Sequence, residues 1–342
     1  MNEIDQLLHD MAKLSDSSIS IDQGRVYQIG LKTIFYFSFF YKNGDYFVPE
    51  VLQQLSDLKK YSLVIADFGH ERFSHLPLYD VFEELGINFI ITNCKLTNHQ
   101  LRPRILYTPH HYHRLKVNVF KEISQSTNRK YKLSCLNGTS RVHRIYNYLL
   151  LQSHPDVETF YISMMQKKGG ESDYSEMLAK NSMPEKLTQQ WNAIKHNLPK
   201  VHLPRGIRID HDIRDPAYTD SYINLVTETD VFDDMYMTEK TWKPIASAQL
   251  FLIVGYKNII SHLRELGVDT FDDIIDHNYY DQEPDWQLRI QKIHQVINNL
   301  LKQDLESIYI NTQQRRIANA EKFFSGKFGI KYQQDFVNLL TQ

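Results

Sequence analysis

The sequence predicts an α/β protein built from two doubly wound parallel-sheet domains. Three observations point there. β-branched and aromatic runs alternate with segments of helical periodicity along most of the chain. The alternation pauses at the polar stretch KEISQSTNRK (121–130), where only Ile123 is apolar. And 342 residues, 42% of them hydrophobic, suffice for two cores.

Taken in order, the first third offers the strands KTIFYFSFF, YSLVIADF, GINFIITN and RILYT, with helical spacing in VLQQLSDLKK and PLYDVFEELG between them. Gly86 closes the second of these helices as a cap. After the polar linker the pattern resumes with YKLSCL, a helix from Ser140 to Leu151, TFYISMM, and a helix around PEKLTQQWNAIKHNL. SYINLVTET, a helix after Thr238 and LFLIVG complete the second sheet. The segment PDWQLRIQKIHQVINNLLKQ places Trp286, Ile290, Ile293, Ile297 and Leu300 on one face, an amphipathic helix lying on that sheet. Two helices follow between Thr312 and Gln342, separated around Gly326 to Gly329. The expected division is an N-terminal domain over 1–125, a second over 126–325 and a C-terminal helix over 326–342.

Charge and composition exclude several classes. A formal net charge of −2 gives no electrostatic reason for a dedicated nucleic-acid binder. Cys94 and Cys135 are the only cysteines, which argues against a disulfide framework. The start MNEIDQLLHDMAKL is acidic rather than basic-then-apolar, and the longest apolar run, TIFYFSFFY, is far short of the roughly 20 residues that span a bilayer. The expectation is a cytoplasmic protein without a membrane span.

In open α/β sheets ligands bind beyond the carboxyl ends of the strands. Two segments there carry suitable chemistry. In DDMYMTEKTWKPIASAQLFLIVG, Thr238 is placed to cap a helix whose first turn holds Glu239 and Lys240. A lysine at a helix N-terminus costs about 0.3–1 kcal/mol unless an anion is held there. With a phosphate present, the backbone N–H groups and Lys240 would grip it together, and Glu239 would suit sugar hydroxyls. In YKLSCLNGTSRVHRIYNYLL, a strand leads through a turn at Asn137 and Gly138 into a helix bearing Arg141, His143 and Arg144.

The segment from Ile223 to Gly255 resembles the nucleotide-sugar-binding half of fucosyltransferases and related exostosin-like glycosyltransferases, in which a strand, an acidic loop, a T-E-K triplet, a helix and an apolar strand closing on glycine follow in this order. The stretch from Tyr131 to Leu150 resembles the same families, and FDDIIDHNYYD (271–281) looks like the segment after the closing strand in phage and bacterial members. The resemblance implies the GT-B arrangement of two Rossmann-like domains facing a cleft. It implies a transfer of a hexose or pentose from a GDP- or UDP-linked donor to a glycan or other acceptor hydroxyl, inverting and without a metal or other cofactor. It also implies a diphosphate contact from Arg144 or Arg141, with Asn137, Thr238, Glu239 and Lys240 completing the donor set.

An inverting transfer needs a base from the other domain. Asp67, at the end of the strand in VIADFGHE, and Glu71 are the candidates. TPHHYHR supplies His110 and His111 to the acceptor side; its spacing is not that of a zinc site. Asp210 and Asp212 in IRIDHDIRD form the D-x-D pattern of metal-dependent GT-A transferases, but Arg205, Arg208 and Arg214 around them favour a charge-balanced loop. The alternatives are a non-catalytic nucleotide-binding protein, a metal-dependent GT-A-like transferase, and a transferase acting on modified DNA bases.

Overall fold

The computed structural model describes residues 8–9, 12, 18–21, 24–29, 31–38, 62–67, 89–92, 94–95, 104–107, 127–138, 140–164, 183–195, 198, 213, 215–232, 235–328 and 337–338. The chain forms two compact units: Met1–His113 with Asp233–Thr238 and Gly329–Gln342, and Arg114–Phe232 with Glu239–Phe328.

The first unit holds a six-stranded sheet. Strands β1 (Ser18–Ile21), β2 (Gly24–Ile29) and β3 (Lys32–Ser38) form an antiparallel meander. From β3 onward the sheet is parallel through β4 (Leu63–Asp67), β5 (Phe89–Thr92) and β7 (Arg104–Tyr107), while β6 (Cys94–Lys95) pairs antiparallel with β11 (Met235–Tyr236). The four parallel strands are those the sequence predicts. The meander strands are not among the predicted ones, because SISI and GRVYQI are short and alternate polar with apolar residues. Antiparallel strands solvated on one face have that pattern, and it is a weaker signal than an apolar run. The helices expected over 51–60 and 77–86 lie outside the described residues.

The second unit is a four-stranded parallel sheet in the order β12–β10–β8–β9: β8 (Tyr131–Asn137), β9 (Phe160–Met164), β10 (Ser221–Thr227) and β12 (Leu250–Val254). Every residue of SYINLVT and LFLIV is buried, as expected of parallel strands covered on both faces. Around the sheet lie α1 (Val142–Gln152), α2 (Glu185–Ile194), α3 (Pro216–Thr219), α4 (Glu239–Ala246), α5 (Ile259–Glu265), α6 (Asn278–Asp281), α7 (Trp286–Leu300), α8 (Leu305–Asn311) and α9 (Gln313–Phe324).

Helix α7 buries Ile290, Ile293, Ile297 and Leu300, the face read from the sequence, and starts at Asp285, whose carboxylate accepts from the Leu288 N–H at 2.8 Å. Helix α4 is anchored by Trp242, fully buried and packed against Phe323 and Phe328 with ring centroids 6.1 and 6.0 Å away. Residues 127–130, the end of the polar stretch, lie in this unit. Arg129 is buried and donates to the carbonyls of Tyr218 and Thr219 and to the Tyr309 hydroxyl.

Candidate functional site

Along the second sheet, β9 lies on one side of β8 while β10 and β12 lie on the other. The strand order therefore reverses between β8 and β10, and the carboxyl ends of those two strands frame the crevice where such sheets bind ligands. Adjacent in space there are Asn137, the last residue of β8, and Thr227, the last of β10. The Thr227 hydroxyl donates to Asn137 Oδ1 at 2.7 Å, and Asn137 Nδ2 donates to the Ser163 carbonyl at 3.0 Å. Asn137 thus stitches three strand ends together, with its side chain buried.

The next residue after β10, Glu228, is the hub of the site. It is fully buried. Its carbonyl accepts from Arg144 Nη2 at 3.0 Å and from His143 Nε2 at 2.9 Å, both on α1. Its carboxylate accepts from the Thr241 hydroxyl on α4 at 2.6 Å and from the Thr229 N–H at 3.2 Å. One residue therefore ties the helix after β8 to the helix after β10. Arg144 Nη2 also donates to the Thr227 carbonyl at 3.2 Å.

The electrostatics follow from this packing. Burial is the main cause lowering the Arg144 guanidinium to about 10, and the neighbouring Arg141 pushes the same way, while the carboxylates of Glu228 and Glu239 oppose them. Arg144 stays charged at neutral pH. Burial also drives His143 well below its ordinary range, assisted by Arg144, so the ring is neutral and its Nε2–H is the donor to Glu228. His143 Nδ1 is left as a buried acceptor without a partner among the described residues.

Arg141 and Arg144 are separated by the start of α1. The sequence starts this helix at Ser140, but it begins at Val142, with Arg141 in the extended conformation at the N-cap and making no side-chain cap bond. Arg141 faces solvent, whereas Arg144 is 3% exposed. Helix α4 begins at Glu239, directly after the buried Thr238, as the sequence predicts. Lys240 Nζ lies 2.7 Å from Glu239 Oε1, and both side chains retain access to solvent.

Of the predicted site residues, Asn137 and Arg144 are bonded at these strand ends, and Arg141, Glu239 and Lys240 lie at the heads of the two helices that Glu228 ties together. Asp67 is the last residue of β4, a parallel-strand carboxyl end in the first unit. Glu71, His110, His111, Asp210 and Asp212 lie outside the described residues, among which no group of His, Cys, Asp and Glu could hold a metal ion. Glu228, Thr241 and Phe232 escape sequence reasoning. The signal for Glu228 was its position, immediately beyond the apolar run SYINLVT, where a carboxylate has no reason to be buried unless it fastens something.

No protein-family model matches the sequence, and no curated protein matches it. Among solved structures the chain is similar to the trehalose-6-phosphate synthase OtsA, with TM-score 0.45 and 10% identity over 85% of this chain and 70% of that one. It is similar to an alpha,alpha-trehalose-phosphate synthase (UDP-forming) from Burkholderia vietnamiensis, with TM-score 0.44 and 11% identity over 85% and 70%. It is also similar to the spinosyn rhamnosyltransferase SpnG, with TM-score 0.32 and 11% identity over 81% and 76%. Likenesses this distant assign neither activity nor ligand. The structure is that of an α/β protein with a mixed sheet in the first unit and a parallel sheet in the second, whose strand order reverses between β8 and β10.

Proposed function

We propose that the protein is a glycosyltransferase of GT-B type that uses a nucleoside-diphosphate sugar. The observation that carries this reading is the joining, through Glu228, of the Arg141–Arg144 turn to the head of the helix bearing Glu239 and Lys240. Arg141, at the head of α1, and Lys240, in the first turn of α4, both reach solvent, and a diphosphate takes such cations together with a helix N-terminus. In this reading Arg141 and Lys240 touch the phosphates, and Arg144 holds the loop beneath them. Glu239 takes ribose or sugar hydroxyls once Lys240 turns to the phosphates.

The chemistry follows from charge. As the nucleoside diphosphate leaves, negative charge grows on its oxygens, and cations fixed beforehand stabilise that charge more than they stabilise bound donor. Such a site works without a divalent ion. Asp67 or Glu71 would deprotonate the acceptor hydroxyl, and inversion, the fucosyltransferase or exostosin-like kinship and a GDP- or UDP-linked donor belong to the same reading.

A thermal-shift series with GDP, UDP, ADP, CMP and TDP tests it. Ligand at 100 times its dissociation constant adds about 2.7 kcal/mol to native stability. One nucleoside diphosphate should raise the midpoint in the wild type and leave Lys240→Ala and Arg141→Ala nearly unmoved. If no nucleotide shifts the wild type, with or without manganese, the reading is wrong.

A further inference from the structure

The loop that leaves β10 carries an aromatic side chain with no part in the diphosphate site. Phe232 is 36% exposed, although Val231 and Asp230 before it are each 2% exposed. An exposed phenyl ring is ordinary. A rigidly mounted one beside the proposed donor site is not.

The mounting is built at three points. Asp230 Oδ1 accepts from the N–H groups of Val231 at 2.8 Å and Phe232 at 3.2 Å, which fixes the turn. Arg289, itself buried, donates to the Val231 carbonyl at 2.9 Å and to the Gly255 carbonyl at 3.1 Å, tying the turn to the end of β12. Behind the ring, Trp286 stands edge-on with centroids 5.5 Å apart, and Tyr146 supports Trp286 in turn at 5.6 Å. The other neighbour of the ring is His143, edge-on at 6.2 Å. His143 is bonded to the Glu228 carbonyl and adjoins Arg144, so the phenyl ring and the cationic turn flank a single side chain.

A ring held stiffly, open on one side and one side chain away from the cations, suits a flat apolar group attached to a diphosphate. We infer that Phe232, backed by Trp286, is the shelf on which the nucleobase of the donor stacks, an inference that rests on the diphosphate reading above. Stacking on an aromatic ring tolerates any base and strengthens binding about tenfold or more.

Calorimetric titration of the intact protein with GDP, UDP and inorganic pyrophosphate tests the shelf, because pyrophosphate keeps the anion and lacks the base. The wild type should bind one nucleoside diphosphate at least tenfold more tightly than pyrophosphate. Phe232→Ala should erase that difference and leave pyrophosphate binding unchanged, whereas Phe232→Tyr should retain it. Binding of the nucleotide should also quench tryptophan fluorescence in the wild type, and Trp286→Phe should lose the quench. Equal affinity of the wild type for nucleotide and pyrophosphate would overturn the shelf while leaving the diphosphate site standing. So would a Phe232→Ala protein that weakens both probes alike or neither. A wild type that binds no probe would overturn both readings.

Discussion

Glu228 is bonded through both its carbonyl and its carboxylate, so its partners have unequal weight. Thr241→Val removes a hydroxyl from a buried carboxylate and should cost about 1–3 kcal/mol in urea unfolding. Arg144→Met takes a charged donor from two buried carbonyls, those of Thr227 and Glu228, and should cost about 2–5 kcal/mol. The reverse order would show that the carboxylate bond to Thr241 outweighs the carbonyl bonds to Arg144. At this scale the sequence was only half legible. It identified the two arginines but could not rank them, because residues three apart near a helix start differ in burial only through where the helix begins. The start at Val142 sends Arg141 to solvent and Arg144 inward. Buried histidines add a pH dependence. Burial lowers His277 to about 4 and His294 to about 3, where His154 assists, and both are neutral when folded. His277 donates from Nε2 to the Thr270 carbonyl, and His294 bonds Asn147 Oδ1. In the unfolded chain each takes up a proton near 6.5, so the unfolded state binds more protons below that pH and stability falls as pH drops from about 6.5 toward 4 and then 3. At about 1.4 kcal/mol per pH unit, each histidine should contribute a few kcal/mol to that loss, His294 more than His277. Urea midpoints at pH 7 and 4.5 should differ strongly in the wild type and less in His294→Gln.

Helices carry the second scale. Helix α5 has no cap of its own: Asn258 before it takes a left-handed conformation with φ 64°, and the N-terminal donors are satisfied from a distance. Asp281 accepts from the N–H groups of Ile260 and Ser261, both at 2.9 Å, and from the Ser261 hydroxyl at 2.7 Å. The segment FDDIIDHNYYD, noted from sequence for its resemblance, therefore ends in the residue that holds the helix after β12. Asp281→Ala should cost about 1–2 kcal/mol, and Asp281→Asn less; equal unfolding midpoints for wild type and Asp281→Ala would refute the remote cap. On α7, Ile293→Ala should cost about 2–5 kcal/mol, since the residue is fully buried. Elements with strong periodicity were legible: α7, β10, β12 and the helix after Thr238 fall where their patterns put them. Helix α8 was not, because seven residues make too short a window for periodicity to emerge.

For the molecule as a whole, the α/β class was legible because long apolar strands alternating with helices have few other solutions. The candidate site was legible on the side where strand ends and cations are close in sequence. Its hub and its aromatic neighbour were not, because a buried carboxylate and an exposed phenyl ring are unusual only once burial is known. A whole-molecule prediction follows from the proposed metal-independent transfer: donor turnover should survive excess EDTA. Loss of turnover, restored by manganese, would favour the metal-dependent alternative and direct attention to Asp210 and Asp212.

The pairing of β6 with β11 has a consequence for how the protein is made. Lys95 lies opposite Met235, so a strand of the first unit finds its partner only after most of the second unit has been translated. At about 5–20 residues per second the nascent chain waits on the order of 10 s for that match. Until then Cys94 and Lys95 lack that partner, and an unpaired strand edge is a template for pairing with another chain. Slower elongation between these two segments should therefore lower the yield of soluble protein, although it changes no residue of the finished molecule.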